Sequence, residues 1–347
     1  MSNTENEVSG YYLNTQNYVE ECRSQGQMNV KYFEFKLPDK VATSFVAVVP
    51  HGRVLGENGC VVTPNHKILW DVSREWDTSP DSHSIFQQTF LPKCTYSPQT
   101  VAVLSKIGCS NYYHWMFDVL PRVHLLRLSP LSIDKYIVPR PLAPFQIETL
   151  TALGIRQEQL IEAGVDFHLE AERLVVPSLP LEAKWACDFV RRQMLCKVRG
   201  VQLHSRRLYI SRENCLGRKV VNEQELLTEL ASFGFEKIIP ETMTVGEQVA
   251  VFSQAEIIVG PQGANFANAF FCRPKTHIIE FMAPTFFITS TEKISSYLNL
   301  NYHRIMGASQ RNPNYINSKW YWHGLDNIIV DPEEMMRVIR TIAQLPL

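Results

Sequence analysis

From residue 206 onward, short apolar runs alternate with longer helical patterns, and this alternation narrows the fold more than any other feature of the chain. RRLYISR (206–212) reads as a strand and NEQELLTELASFGF (222–235) as a helix that stops at Gly234. EKIIP (236–240), EIIVG (256–260) and THIIEFM (276–282) read as further strands, with TVGEQVAVFSQA (244–255) as the helix between the first two. DNIIVDPEEMMRVIRTIAQL (326–345) closes with a strand and a helix that Pro332 can open at its first turn. Strands separated by helices have to run parallel, with helices covering both faces of the sheet. Residues 202–347 are therefore predicted to form a Rossmann-like domain, which binds ligands at the carboxyl ends of its strands.

The first part is less regular. TSFVAVVP (43–50) and GCVVTP (59–64) look like strands among turns. A strand starting in QTVAVLSKIG (99–108), a helix over 111–128, a strand KYIVP (135–139), a helix PFQIETLTALGI (144–155), a strand RLVVPS (173–178) and a helix over 186–198 follow. The expectation for 1–201 is a β-rich start that passes into α/β structure. Two domains suit 347 residues at roughly 150 residues per domain.

A net charge of -1 calls for no nucleic-acid or anionic-membrane partner. The start, MSNTENEVSG, is polar and shows no basic-then-apolar signal pattern. No apolar run approaches the ~18 residues of a membrane span. Eight scattered cysteines without a CxxC pair read as reduced thiols. Together these predict a cytoplasmic protein without a transmembrane segment.

NYYHWMFDVLPR (111–122) sets a histidine, an aspartate and an arginine among aromatic and aliphatic residues. Charged side chains are costly to bury unless paired or used. On a helix, Asn111, His114, Asp118 and Arg122 fall at spacings of three, four and four, on one face. Pro121 should kink the helix one turn past Asp118. An imidazole and a carboxylate four residues apart can hydrogen-bond, and the carboxylate fixes the imidazole tautomer, a general-base arrangement. A purely structural His–Asp–Arg network is equally compatible with the spacing. Arg122 is placed to orient Asp118 or to reach an acceptor.

GPQGAN (260–265) follows a strand and precedes a helical pattern, so its backbone N–H groups can meet a phosphate. It lacks the GxGxxG spacing of a dinucleotide site. A tight turn without a ligand is the competing reading. Arg212, Arg218 and Lys219 cluster around the end of the strand RRLYI, where a pyrophosphate would fit; a solvated basic loop is the alternative. Glu280 near the end of THIIEFM is placed to accept ribose hydroxyls or to be an exposed acid. No DxD, HxH or HExxH occurs, so no metal and no tightly bound cofactor is expected. Cys109 lacks a nucleophile turn and reads as a packing residue.

NYYHWMFDVLPR, RRLYISR, RKVVNE, VFSQAEIIVGPQGANFANAFFC and THIIEFM, in this order over about 100–282, resemble glycosyltransferase family 61. The resemblance implies a GT-B-like α/β architecture, with two Rossmann-like domains facing across a cleft. It implies metal-independent, inverting transfer from a nucleotide sugar, typically a UDP-sugar, to a hydroxyl of a saccharide acceptor. Bacterial members of this kind are associated with capsular or surface polysaccharide synthesis, so a polysaccharide-synthesis complex is an implied partner. By position, Arg212, Arg218 and Lys219 would neutralise the diphosphate, and Gln262, Gly263, Ala264 and Asn265 would line it. Glu280 would sit near the ribose. Asp118, with His114 as its partner, is the favoured base, and the reverse assignment stays open, since a neutral histidine is itself a good base.

The family usually reads GPHGA where this chain has Gln262, and Asn265-Phe266 replaces a small and aliphatic pair. A glutamine donates a hydrogen bond but carries neither a proton nor a charge near neutral pH. A non-catalytic nucleotide or sugar binder, or a scaffold derived from such a transferase, is the alternative function.

Overall fold

The computed structural model describes residues 11–38, 43–76, 78–180, 182–196, 205–315 and 323–343. The chain divides into two compact units, 1–190 and 191–347. The expected boundary at 201/202 lies outside the described residues.

Unit one is organised by a single mixed sheet of ten strands. These are β1 (Tyr12–Leu13), β2 (Lys31–Phe35), β3 (Ser44–Pro50), β4 (Arg53–Leu55), β5 (Cys60–Val62), β6 (Ile68–Leu69), β7 (Thr95–Val103), β8 (Lys135–Pro139), β9 (Leu160–Ala163) and β10 (His168–Pro177). The bonded order is β1-β6-β5-β4-β10-β7-β8-β9, with β3 also beside β10 and β2 beside β3. β10-β7-β8-β9 is parallel, as is the short β1–β6 pair; β3, β4 and β5 run antiparallel to their neighbours. The expected two Rossmann-like halves are thus corrected for this unit. A four-stranded parallel core is extended by the β-rich start of the chain, because β10 is long enough to bond β7 on one side and β3 and β4 on the other. Its apolar core is aliphatic, with Val49, Val54, Leu69, Val103, Ile137 and Leu174 buried.

The order of the parallel strands places a particular point in the sheet. After β7 the chain moves outward to β8 and β9, then returns to the other side of β7 as β10. The carboxyl end of β7 is therefore where the winding reverses, the position at which open α/β sheets leave a crevice.

Unit two carries a wholly parallel five-stranded sheet: β11 (Arg206–Ile210), β12 (Phe235–Ile238), β13 (Ala255–Pro261), β14 (His277–Met282) and β15 (Asn301–Met306). The order is β12-β11-β13-β14-β15, so the winding reverses between β11 and β13. Helices at Glu223–Ala231, Val245–Phe252, Ser290–Tyr297 and Pro332–Ala343 connect or follow the strands. Tyr209, Val259, Ile279, Phe281 and Met335 form its core. This is the doubly wound α/β fold expected from the alternation. Among the described helices none is long and apolar enough to cross a membrane.

Candidate active site

The helix bearing His114 is built in three pieces. Asn111 caps it, its side chain accepting the Tyr113 N–H at 2.9 Å. Tyr112–His114 is α-helical, Trp115–Val119 is a π-helical segment, and Leu120–Leu128 is α-helical again. Pro121 has no N–H to give the carbonyl four residues back, which accounts for a widened turn just before it. The irregularity therefore falls on Asp118 itself and not one turn beyond it as the sequence suggested.

His114 Nδ1 lies 2.9 Å from Asp118 Oδ2, and Lys106 Nζ donates to the same oxygen at 2.6 Å. Lys106 leaves the carboxyl end of β7 and so reaches the helix at the reversal point of the sheet. Burial works against the charge on Asp118, but the His114 hydrogen bond and the Lys106 ammonium outweigh it and hold the carboxyl below its usual value. With Asp118 ionised, Nδ1 of His114 carries the proton and Nε2 the lone pair. Nε2 has no hydrogen-bond partner among the described residues, and the imidazole is partly exposed. Trp76, 53% exposed, sets its indole 5.2 Å from the imidazole centroid. Gly108 makes room for it: φ is 74° there, and a Cβ would come within 2.3 Å of Trp76 Cζ2.

Arg122 stands apart from this cluster. It is fully buried and donates from Nη1 to the carbonyls of Leu104 and Ser105 at 3.1 and 3.3 Å, and from Nη2 to Pro177 at 3.0 Å. Burial lowers its pKa to about 10. It ties the exit of β7 to the end of β10. The expectation that it orients Asp118 or reaches an acceptor is corrected: its hydrogen bonds go to main-chain carbonyls.

In unit two, Arg212 follows β11, and Gln262 and Gly263 follow β13, on either side of the reversal point. Arg212 is 8% exposed and donates from Nε and Nη2 to the Gly217 carbonyl at 3.3 and 3.2 Å. Its Nη1 rests on the Gly263 turn, where a Cβ would lie 2.0 Å away, so any side chain at 263 evicts the guanidinium. Arg218 holds a left-handed backbone, φ 57°, and donates from Nη1 to Gln262 Oε1 at 2.7 Å. Its guanidinium lies 4.9 Å over the Phe286 ring. Burial and then the charge of Arg212 lower its pKa to about 10. Among the described residues, neither arginine forms an ion pair with a carboxylate.

The 3₁₀ helix Ala264–Phe271 starts beside them, and its first bond is Phe266 N–H to Gly263 C=O at 3.1 Å. The N–H groups of Ala264 and Asn265 precede that bond and lie outside the helical ladder, the arrangement that favours an anion.

Residues 112–279 match the sequence profile of the family described as Glycosyltransferase 61, a span just under half the chain. That stretch of the chain is similar to the glycosyltransferase 61 family. No curated protein matches the chain. The matched span opens on the His114 helix and closes one residue before Glu280, so it contains His114, Asp118, Arg212, Arg218 and the Gln262–Gly263 turn. Lys106, which bonds the aspartate, lies upstream of it.

The structure brings together His114 with Asp118, Arg212 with Gly263, and Arg218 with Gln262. Other expected site residues are engaged elsewhere. Lys219 Nζ donates to the Glu213 carbonyl at 2.7 Å, and Asn265 Nδ2 to Glu241 Oε2 at 3.3 Å. Glu280 is fully buried in the sheet of unit two, with Thr291 Oγ1 at 2.8 Å on Oε1 and Tyr302 Oη at 2.7 Å on Oε2. Burial, only partly offset by these hydroxyls, raises its pKa to about 7. Lys106 and Trp76 were not singled out from the sequence. The legible signal for Lys106 was a lone lysine in the otherwise small and apolar turn after a strand, LSKIGCS.

Proposed function

We propose that this protein is an inverting glycosyltransferase that moves a sugar from a nucleoside-diphosphate donor, a UDP-sugar, to a hydroxyl of a saccharide acceptor without using a metal. The observation that carries this reading is the pair of guanidiniums, buried Arg212 and half-buried Arg218, set at the sheet's reversal point with no carboxylate bonded to either among the described residues. Glu241 and Glu280 act on these charges only at a distance, and a cation held largely out of water without a directly bonded counter-ion is costly, a partner that an anionic ligand would supply. When the sugar departs, negative charge builds on the diphosphate, and fixed cations with the N–H groups of Ala264 and Asn265 stabilise it.

The acceptor hydroxyl attacks the anomeric carbon as its proton passes to Nε2 of His114. Asp118 accepts the Nδ1–H and balances the imidazolium, and Lys106 keeps Asp118 ionised and oriented. This reverses the order favoured from the sequence. A carboxylate held below its usual pKa and already bonded by two donors is a poor proton acceptor, whereas the imidazole has a lone pair to offer. One displacement at the anomeric carbon inverts its configuration. The exposed indole of Trp76 offers an apolar face beside the base on which a sugar ring can pack. Surface polysaccharide made from cytoplasmic nucleotide sugars is the setting proposed for this activity.

The test is a thermal-shift series with UDP, GDP, CDP and UDP-sugars, each with and without EDTA, followed by an acceptor screen. A ligand that binds only the native state raises the midpoint. The expected result is stabilisation by UDP and UDP-sugars that EDTA does not change, with transfer to a saccharide. Stabilisation without turnover would favour a non-catalytic binder. No shift with any nucleotide would overturn the reading.

A further inference from the structure

Gln262 is 5% exposed and stands at the carboxyl end of β13. Its main-chain N–H is anchored on Phe281 C=O at 2.8 Å, and its Oε1 accepts Arg218 Nη1 at 2.7 Å. Arg218 is a difficult cation to hold in place. Its backbone is left-handed, its Nε is buried without a hydrogen-bond partner among the described residues, and the nearby Arg212 charge opposes its own. The Phe286 ring supports one face of the guanidinium but does not fix its rotation.

We propose that Gln262 is a positioning residue that aims the Arg218 guanidinium at the donor diphosphate without cancelling its charge. The inference rests on the donor-site reading given above and deepens it. A carboxamide oxygen is a neutral acceptor, so its bond to the guanidinium is charge-assisted and directional while the two arginines keep both positive charges. A glutamate of the same shape would bond Arg218 as an ion pair and remove one of those charges from the ligand. A protonated imidazole would have no lone pair for Arg218 and would add a third like charge. The residue that departs from the usual GPHGA pattern is therefore matched to its neighbour, and its presence does not imply a dead site.

Titration calorimetry of the full chain with inorganic pyrophosphate and with UDP tests this on the wild type, Q262E, Q262M, R218A and R218A/Q262M. Q262E should weaken both probes by at least about tenfold while its melting midpoint stays at or above wild type. It should also flatten the salt dependence of pyrophosphate affinity, because a charge has been cancelled. Q262M should weaken both probes by about five- to tenfold with the salt slope unchanged. In the R218A background, Q262M should change affinity by less than about twofold, since its effect runs through Arg218. Wild-type affinity in Q262E and Q262M, or an equal loss from Q262M with and without Arg218, would overturn the role of Gln262 alone. A wild type that binds neither probe would overturn the donor-site reading and this inference with it.

Discussion

Each unit places charged side chains where its parallel sheet reverses direction, and the two clusters are built on opposite electrostatic terms. In unit one, an aspartate is matched by a lysine and a histidine on a single oxygen, so the charge is compensated within the protein. In unit two, two guanidiniums share a site with a carboxamide, a phenyl ring and the Gly217 carbonyl, and among the described residues no carboxylate is bonded to either. The first arrangement is balanced within the protein and leaves one imidazole nitrogen without a hydrogen-bond partner among the described residues. In the second, the proposed donor would supply the anion. The proposed transfer would call on one arrangement of each kind.

The largest expected effect tests the division of labour. His114→Ala should lower transfer by about 10²–10⁴-fold while the thermal shift produced by UDP is unchanged. Arg218→Met should instead remove the UDP shift itself, with transfer lost as a consequence. If His114→Ala abolishes UDP binding, the separation of roles between the clusters is broken.

Stability measurements in urea sharpen the same contrast, because removing a cation should have opposite signs in the two places. Lys106→Met leaves the half-buried Asp118 carboxylate with one donor fewer and should cost about 1–3 kcal/mol. Arg218→Met relieves repulsion and desolvation and should leave the apo protein as stable or more stable by up to about 1 kcal/mol. Equal losses for both would mean that Arg218 is compensated in a way the structure does not show.

The smallest effect is in the pH dependence. The Asp118 carboxyl is held below its ordinary 3.8, so its contribution is present above that value and is lost as pH falls through the native one. Glu280 has the opposite sign. Its native pKa is raised from 4.5 to about 7, so the folded state keeps a proton that the unfolded chain releases, and stability falls as pH rises through that window. Glu280→Gln should flatten the stability profile between those two values, read from denaturant midpoints at successive pH, and leave the acid limb from Asp118 in place.

Local pattern and long-range pairing were not equally legible in the sequence. KYIVP and RRLYI read as strands because their apolar runs are bounded by clear breaks, and the alternation that follows RRLYI implied the parallel sheet. The His114–Asp118 contact was legible because it needs only a helix between them. The π segment was not, since spacings of three and four count residues and cannot register a widened turn; Pro121 announced an irregularity without fixing its place. Lys106 and the Arg218–Gln262 bond depend on which strands lie side by side, which residue type and spacing do not encode. Glu280 looked like a strand-end acid because NYHRIM has too mixed a composition to read as the strand that covers it, and the two hydroxyls that bury its charge come from that strand and the preceding helix.

The π segment has a consequence for how this chain tolerates insertion and deletion. Arg122 pins the later half of the helix to the carbonyls of Leu104, Ser105 and Pro177, so that half cannot turn. Removing one residue from Trp115–Val119 would let the helix close into regular α geometry with its two halves facing nearly as before, because the widened turn is what absorbs the extra residue. A deletion between His114 and Asp118 would shorten their spacing to three and move the imidazole relative to the carboxylate. A single-codon deletion here is therefore expected to leave the fold standing and to be felt first in the His114–Asp118 contact, whereas most substitutions on the same helix would first be felt as lost packing.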